Sequence, residues 1–174
     1  ADAFAPRTAD AFAPRTADAF ALVPPTRDCK MRSIRARCCV AHSAYAPVRA
    51  FWDIDNLRPQ QADKQAVAEA LAAMAKEKAR GRAVALDAIG NDRSWNRLGL
   101  RAAVEAAGFR THLAATSWQA ADLVIDSMAR DWLTEGEGAA ESKVLLLASG
   151  DRGFEALLHA ARKAGAFTVV VANT

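Results

Sequence analysis

The sequence predicts an α/β fold: a single three-layer α/β/α domain with a mainly parallel sheet of about five strands. Three observations carry this. Short apolar, β-prone segments alternate with helical segments of ten to twenty residues through the C-terminal two thirds of the chain. Several helical segments end on a glycine, as a helix C-terminus favours. One strand segment, Lys143–Ala148, holds an unbroken Val-Leu-Leu-Leu run, the signature of a strand covered on both faces.

The elements follow in order. Val48–Ile54 is short and apolar and reads as the first strand. Gln61–Arg80 sets Val67, Leu71 and Met74 at helical spacing on an alanine-rich background, and Gly81 stands at its end. Ala83–Ile89 is the second strand, followed by the turn residues Gly90-Asn91-Asp92. Ser94–Ala107 reads as one helix, with Leu98, Arg101, Ala102 and Glu105 dividing its faces and Gly108 closing it. Phe109–Ala114 is the third strand and Gln119–Leu133 the third helix, with a loop at Gly136 and Gly138. The buried strand is the fourth. Arg152–Ala164 is the last helix, Gly165 ends it, and Phe167–Val171 is the fifth strand. Such alternation implies right-handed crossovers and a ligand site at the carboxyl ends of the strands.

The first fifty residues are of another kind. Residues 1–28 open on an eight-residue unit, Ala1–Thr8 repeated as Ala9–Thr16 and begun again at Ala17, and read as a low-complexity disordered leader. Residues 29–48 are basic and acid-free, with Lys30, Arg32, Arg35 and Arg37. They read as an organellar (mitochondrion or chloroplast) transit peptide, with Met31 a conceivable initiator, or as a basic disordered arm that touches RNA phosphates. Residues 49–174 make the domain.

Charge divides in the same place. Up to Ala50 there are eight Lys/Arg against four Asp, and from Phe51 onward fifteen Lys/Arg against sixteen Asp/Glu. The net charge of +3 therefore belongs to the leader, and the domain is close to neutral. A pI near 9.0 gives the domain no basic face, so any nucleic-acid contact must come from local residues. The three cysteines, Cys29, Cys38 and Cys39, precede the domain and match no zinc or disulfide spacing. No apolar run is long enough for a membrane span, and no Gly-rich phosphate loop is present.

Carboxylates mark the strand ends. The first strand ends in Phe51-Trp52-Asp53-Ile54-Asp55-Asn56 and the fourth in Ala148-Ser149-Gly150-Asp151. Asp122 stands near the start of the third helix, with Asp126 one turn on, and Asp87 lies near the end of the second strand. Carboxylates brought together repel, and a hard cation relieves them. Mg²⁺ or Mn²⁺ held by Asp53, Asp122 and Asp151 would activate water against a phosphodiester. No His or Lys stands in these motifs as a general base, which favours metal-activated water. Each carboxylate also has a plainer reading. Asp151 suits a helix cap, Asp122 a helix dipole, Asp126 an exposed helix face, Asp87 a turn, and Asp55 solvent, on the other side of the strand or in the loop. The tryptophans Trp52, Trp95, Trp118 and Trp132 read as packing residues rather than base-stacking platforms.

Three motifs in order resemble the NYN branch of the PIN-like nucleases. Phe51–Asn56 resembles the opening motif: an apolar strand, Asp, two residues, then Asn. Ala121-Asp122-Leu123 resembles the middle acidic motif, and Leu145–Phe154 the closing Ser-Gly-Asp-x-Asp-Phe motif. The resemblance implies a Rossmann-like, PIN-like α/β sandwich and a Mg²⁺- or Mn²⁺-dependent endoribonuclease. Asp53, Asp122 and Asp151 would be catalytic metal ligands, with Asn56 and Ser149 in support. RNA would be the partner, with a protein partner or ribonucleoprotein complex possible and no membrane. The closing motif departs from the family at Gly153, where a second Asp is expected; Asp126 or Asp87 would have to compensate. The alternative is a catalytically weakened RNA-binding or scaffold subunit that uses the rim residues Arg58, Arg93 and Arg152.

Overall fold

The computed structural model describes residues 46–97, 99–135 and 143–172. The leader and most of the basic arm, Leu98, and the Gly136/Gly138 loop lie outside the described residues. The elements are β1 (Val48–Asp53), α1 (Lys64–Ala79), β2 (Val84–Asn91), a short α2 (Asp92–Trp95), α3 (Leu100–Ala106), β3 (Arg110–Ala114), α4 (Ala120–Thr134), β4 (Val144–Ala148), α5 (Glu155–Lys163) and β5 (Phe167–Val171).

All five strands pair in parallel, in the order β3-β2-β1-β4-β5. The chain builds outward from β1 through β2 to β3, then returns to lay β4 on the other side of β1. The reversal sits between β1 and β4, the place where open α/β sheets form ligand crevices beyond their carboxyl ends. Asp53 and Ser149 lie at or just past those two ends.

Each face of the sheet has its own core. On one face Trp52, Ala50, Leu86 and Leu146 meet α1 and α3. On the other Phe51, Ile89, Leu145 and Leu147 meet α4 and α5. β4 is buried at every position, with successive leucines entering opposite cores, as its unbroken apolar run requires. The helix α1 approaches the sheet through Ala68, Leu71, Ala72, Ala75 and Ala79. Val67 and Met74, the larger residues at helical spacing, are only partly buried. Small residues suffice because the sheet supplies the bulk: the rings of Trp52 and Phe109 meet edge-on with centroids 5.6 Å apart.

The expected helix Ser94–Ala107 is two helices. Asn91 caps α2 by accepting from the Ser94 amide at 3.1 Å, which starts the helix early. Gly99, at φ 68°, then breaks the path before α3. The last helix is also divided: Arg152–Phe154 form a 3₁₀ turn, and α5 begins at Glu155. β2 runs on through Gly90 and Asn91, where a turn was expected, because β3 pairs with it as far as Asn91↔Ala114.

Lys143, just before β4, is buried. Its ammonium donates to the main-chain oxygens of Trp132 and Glu135, the latter at 2.6 Å. It thus satisfies carbonyls that the end of α4 leaves open.

Candidate active site

The turn after β1 is organised by one carboxylate. Asp53 is fully buried. Its Oδ1 accepts from the amides of Asp55 at 3.1 Å and Asn56 at 3.2 Å. Its Oδ2 accepts from Asn56 Nδ2 and from Ser149 Oγ, each at 2.7 Å. The Leu57 amide closes a helical turn on the Asp53 carbonyl at 2.9 Å. The spacing Asp-x-x-Asn follows from this. The aspartate needs amides two and three residues on, and the Asn side chain then folds back on the second oxygen. With four donors on its two oxygens, the Asp53 carboxylate has its acceptor sites filled.

Asp151 follows β4. Its amide donates to Ser149 Oγ at 3.1 Å, and its own Oδ1 accepts from the Gly153 amide at 2.7 Å. It is therefore a cap of the 3₁₀ turn, as the plainer reading of the sequence had it, and its side chain also faces a cleft. Gly153 keeps this cap tight: a Cβ there would stand 3.3 Å from Asp151 Oδ1.

The cleft is about 350 Å³ and lies over the carboxyl ends of β1, β2 and β4. Asp55, Asn56, Arg58, Asn91, Asp122 and Asp151 line it, together with the loop Thr116–Gln119. Asp122 sits in the first turn of α4 and is half-buried. Burial, followed by the negative charges of Asp53, Asp151 and Asp55, pushes its carboxyl up to about 6. Three carboxylates from two other stretches of chain thus act on Asp122 at this cleft.

The remaining candidates fall elsewhere. Asp126 pairs with Arg130 one turn on, at 2.6 Å, and does not line the cleft. Asp87 lies inside β2, fully buried, held by Arg49 at 2.8 Å, with Arg110 and His112 each 2.9 Å away. It is a core ion-pair centre rather than a turn residue, and it is not placed to stand in for the missing Asp at position 153. Of the three rim arginines, Arg58 lines the cleft; Arg93 and Arg152 are exposed outside its lining.

Two lining residues were misjudged from sequence. Asp55 is expected in solvent, on the other side of the strand or in the loop, although period-two alternation alone would set it on the same face as Asp53. The strand ends at Asp53, however, and the turn carries Asp55 to β2, where it accepts from Asn91 Nδ2 at 2.9 Å and Ser94 Oγ at 2.5 Å. Trp118 was expected to pack, yet it is 87% exposed on the cleft wall. Its polar neighbours Thr116, Ser117 and Gln119 were the available signal.

The donors available to a cation here are oxygens of Asp, Asn and Ser, the set that hard ions such as Mg²⁺ and Mn²⁺ prefer. Among the described residues, no three His, Cys, Asp or Glu side chains stand together as a ready cage. An ion that keeps most of its waters needs only one or two direct carboxylates. The unrelieved charge around Asp122 fits such an ion. Direct ligation by Asp53 would require one of its four donors to let go.

A parallel α/β/α sandwich with carboxylates gathered over the strand ends at its switch point is the architecture of the PIN-like nuclease superfamily. The NYN domain model matches residues 47–174, and the chain belongs to the NYN domain family. Comparison with curated proteins and with solved structures finds no match. NYN domains belong to a superfamily whose nucleases generally use divalent metals, and they typically bind RNA. No helix among the described residues is long and apolar enough to cross a membrane.

Proposed function

We propose that the protein is a divalent-metal-dependent endoribonuclease acting at this cleft. The observation that carries the reading is the gathering of Asp53, Asp55, Asp122 and Asp151 from three stretches of chain over the reversal in strand order. Asp122 and Asp151 face the cleft and are the residues that would hold Mg²⁺ or Mn²⁺. When bound, the ion supplies a coordinated water of lowered pKa and positive charge for the phosphate.

The chain's own groups do the rest. Asp53 anchors the β1 turn and fixes Asn56 and Ser149 beside the cleft floor. Asp55 ties that turn to β2 and adds negative charge. Arg58 offers the cleft a cation for a substrate phosphate. Asp122, with a carboxyl titrating near 6, can take up or release a proton close to neutral pH until a cation relieves it.

The test is cleavage of a single-stranded RNA by the full chain in Mn²⁺, with chelator as control. Asp122→Asn and Asp151→Asn should each lower the rate by about a hundredfold or more. Full activity in both variants would end the proposal.

Two observations favour a second reading. Asp53 is saturated with donors, and Gly153 removes a carboxylate the family provides. A weakened domain would bind RNA and leave it intact in every divalent metal. Cleavage abolished by Asp122→Asn excludes that reading.

A further inference from the structure

We propose that Trp118 is a stacking subsite for an unpaired base of single-stranded RNA, forming one wall of the acidic cleft. The proposal rests on the RNA-cleaving reading for the identity of the occupant, and on Trp118 itself for its chemistry. Among the tryptophans Trp118 stands apart. Trp52, Trp95 and Trp132 are at most 9% exposed. The indole N–H groups of Trp52 and Trp95 donate to the carbonyls of Leu57 at 2.8 Å and His112 at 3.0 Å. Trp118 is 87% exposed and belongs to the cleft lining.

The backbone holds it there. The Ala120 amide closes a turn on the Ser117 carbonyl at 3.2 Å, and Gln119 follows in the left-handed region at φ 59°. A non-glycine residue in that region is strained and is kept only where surrounding structure fixes it. The Trp118 backbone is thus held just before α4, and its side chain belongs to the cleft lining. Asp122 stands in the first turn of that helix.

The charge of the domain gives RNA phosphates little to hold. The domain from Phe51 onward carries fifteen basic against sixteen acidic residues. The cleft lining holds Arg58 against the carboxylates of Asp55, Asp122 and Asp151. At the cleft, counterion release from phosphates thus supplies little affinity. Stacking does not depend on charge, and every base has a face to offer. The bases of a duplex are hidden, so the subsite selects single strands. Leu113 and Leu123 are also exposed, at 66% and 70%, but neither lines the cleft.

The experiment compares the full chain with Trp118→Ala and Trp118→Phe, using a ten-nucleotide uridine RNA with Ca²⁺ in place of Mn²⁺. Tryptophan emission should be quenched on titration in the wild type, and the quench should vanish in Trp118→Ala. Affinity for the single strand should fall roughly tenfold to a hundredfold in Trp118→Ala and stay within about threefold in Trp118→Phe. Affinity for an RNA duplex should be the same in all three. Equal single-strand affinity in wild type and Trp118→Ala overturns the proposal. So does equal loss on single strand and duplex, or a change confined to self-association. Mn²⁺ cleavage is read in parallel. Cleavage retained with no effect of Trp118→Ala on binding removes the subsite and leaves the nuclease. A Trp118-dependent quench without cleavage in any metal removes the nuclease and leaves the subsite.

Discussion

Ser149 donates its hydroxyl to Asp53 Oδ2 at 2.7 Å, a buried bond between residues 96 positions apart. It ties the end of β1 to the end of β4 across the reversal in strand order. The same hydroxyl oxygen accepts from the Asp151 amide. One side chain therefore locks the two acidic motifs together. Ser149→Ala should destabilise the fold by about 1–3 kcal/mol, because Asp53 is left buried and short of a donor. Cleavage should fall with it as Asp151 loses its tether. Thermal unfolding and Mn²⁺-dependent cleavage read the two effects, and wild-type values in both would show the tie to be dispensable.

Asp122 predicts an unusual gain. Its carboxyl is raised to about 6 by burial and by Asp53, Asp151 and Asp55. The unfolded chain ionises at an ordinary value near 4. Between those values the native state binds more protons than the unfolded state, so stability falls as pH rises through the window, and the penalty is complete above it. Asp122→Asn should therefore stabilise the metal-free protein near pH 7, by on the order of 1 kcal/mol after solvent screening. It should be neutral below pH 4. The wild type should regain stability on adding Mn²⁺, and the variant should not. A variant that melts lower than wild type in chelator at pH 7 would contradict this.

The strand assignments and the three acidic motifs were legible in the sequence because they are local. An apolar run bounded by turn residues reads as a strand wherever it sits, and its terminal carboxylate goes with it. What could not be read depended on where regular structure stops. Residues two apart on a strand share a face, so periodicity could not separate Asp55 from Asp53, and β1 ends at Asp53, leaving Asp55 to the turn. The predicted helix at Ser94–Ala107 had adequate periodicity, yet Gly99 and the Asn91 cap divide it. Asp87 resembled a turn residue because its partners, Arg49, Arg110 and His112, come from two other strands. Trp118 was assigned by its type, although its polar neighbours should have weighed more.

Asp87 should matter for folding and not for chemistry. Burial raises its carboxyl, but hydrogen bonds from His112, Arg49 and Arg110 and the Arg49 charge outweigh that and leave it below the ordinary value. For a depressed carboxyl the stabilisation is present above its unfolded value, near 4, and is lost as pH falls below it. Asp87→Ala leaves Arg49 half-paired against the core and should cost about 3 kcal/mol at pH 7. The deficit should shrink in acid. Asp126→Ala, which breaks only the exposed pair with Arg130, should cost about 0.3–0.5 kcal/mol. Urea unfolding at pH 7 and pH 3.5 measures both, and equal costs for the two variants would refute the assignment.

The last prediction concerns how the β1 turn is seated. Gly90 lies one residue past the Asp53↔Ile89 register pair, directly under the turn. A Cβ at that position would stand 3.1 Å from Ile54 Cβ and 3.4 Å from Asp55 Oδ1. Both neighbours are fixed. Ile54 is fully buried, and its amide bonds the Ile89 carbonyl at 2.9 Å, while Asp55 is held by Asn91 and Ser94. The turn cannot rise by a few tenths of an ångström without loosening those bonds. Gly90→Ala should therefore destabilise by about 1–3 kcal/mol. It should also weaken Mn²⁺ binding, because the turn carries Asp55 and Asn56 on the cleft wall. Gly150→Ala is the matched control for stability: the nearest atom to its added carbon is the Asn56 carbonyl oxygen at 4.0 Å, an ordinary contact. It should change unfolding by no more than about 0.5 kcal/mol. Equal destabilisation by the two substitutions would mean that the turn yields freely over β2 and that the close approach at Gly90 does not set the cleft.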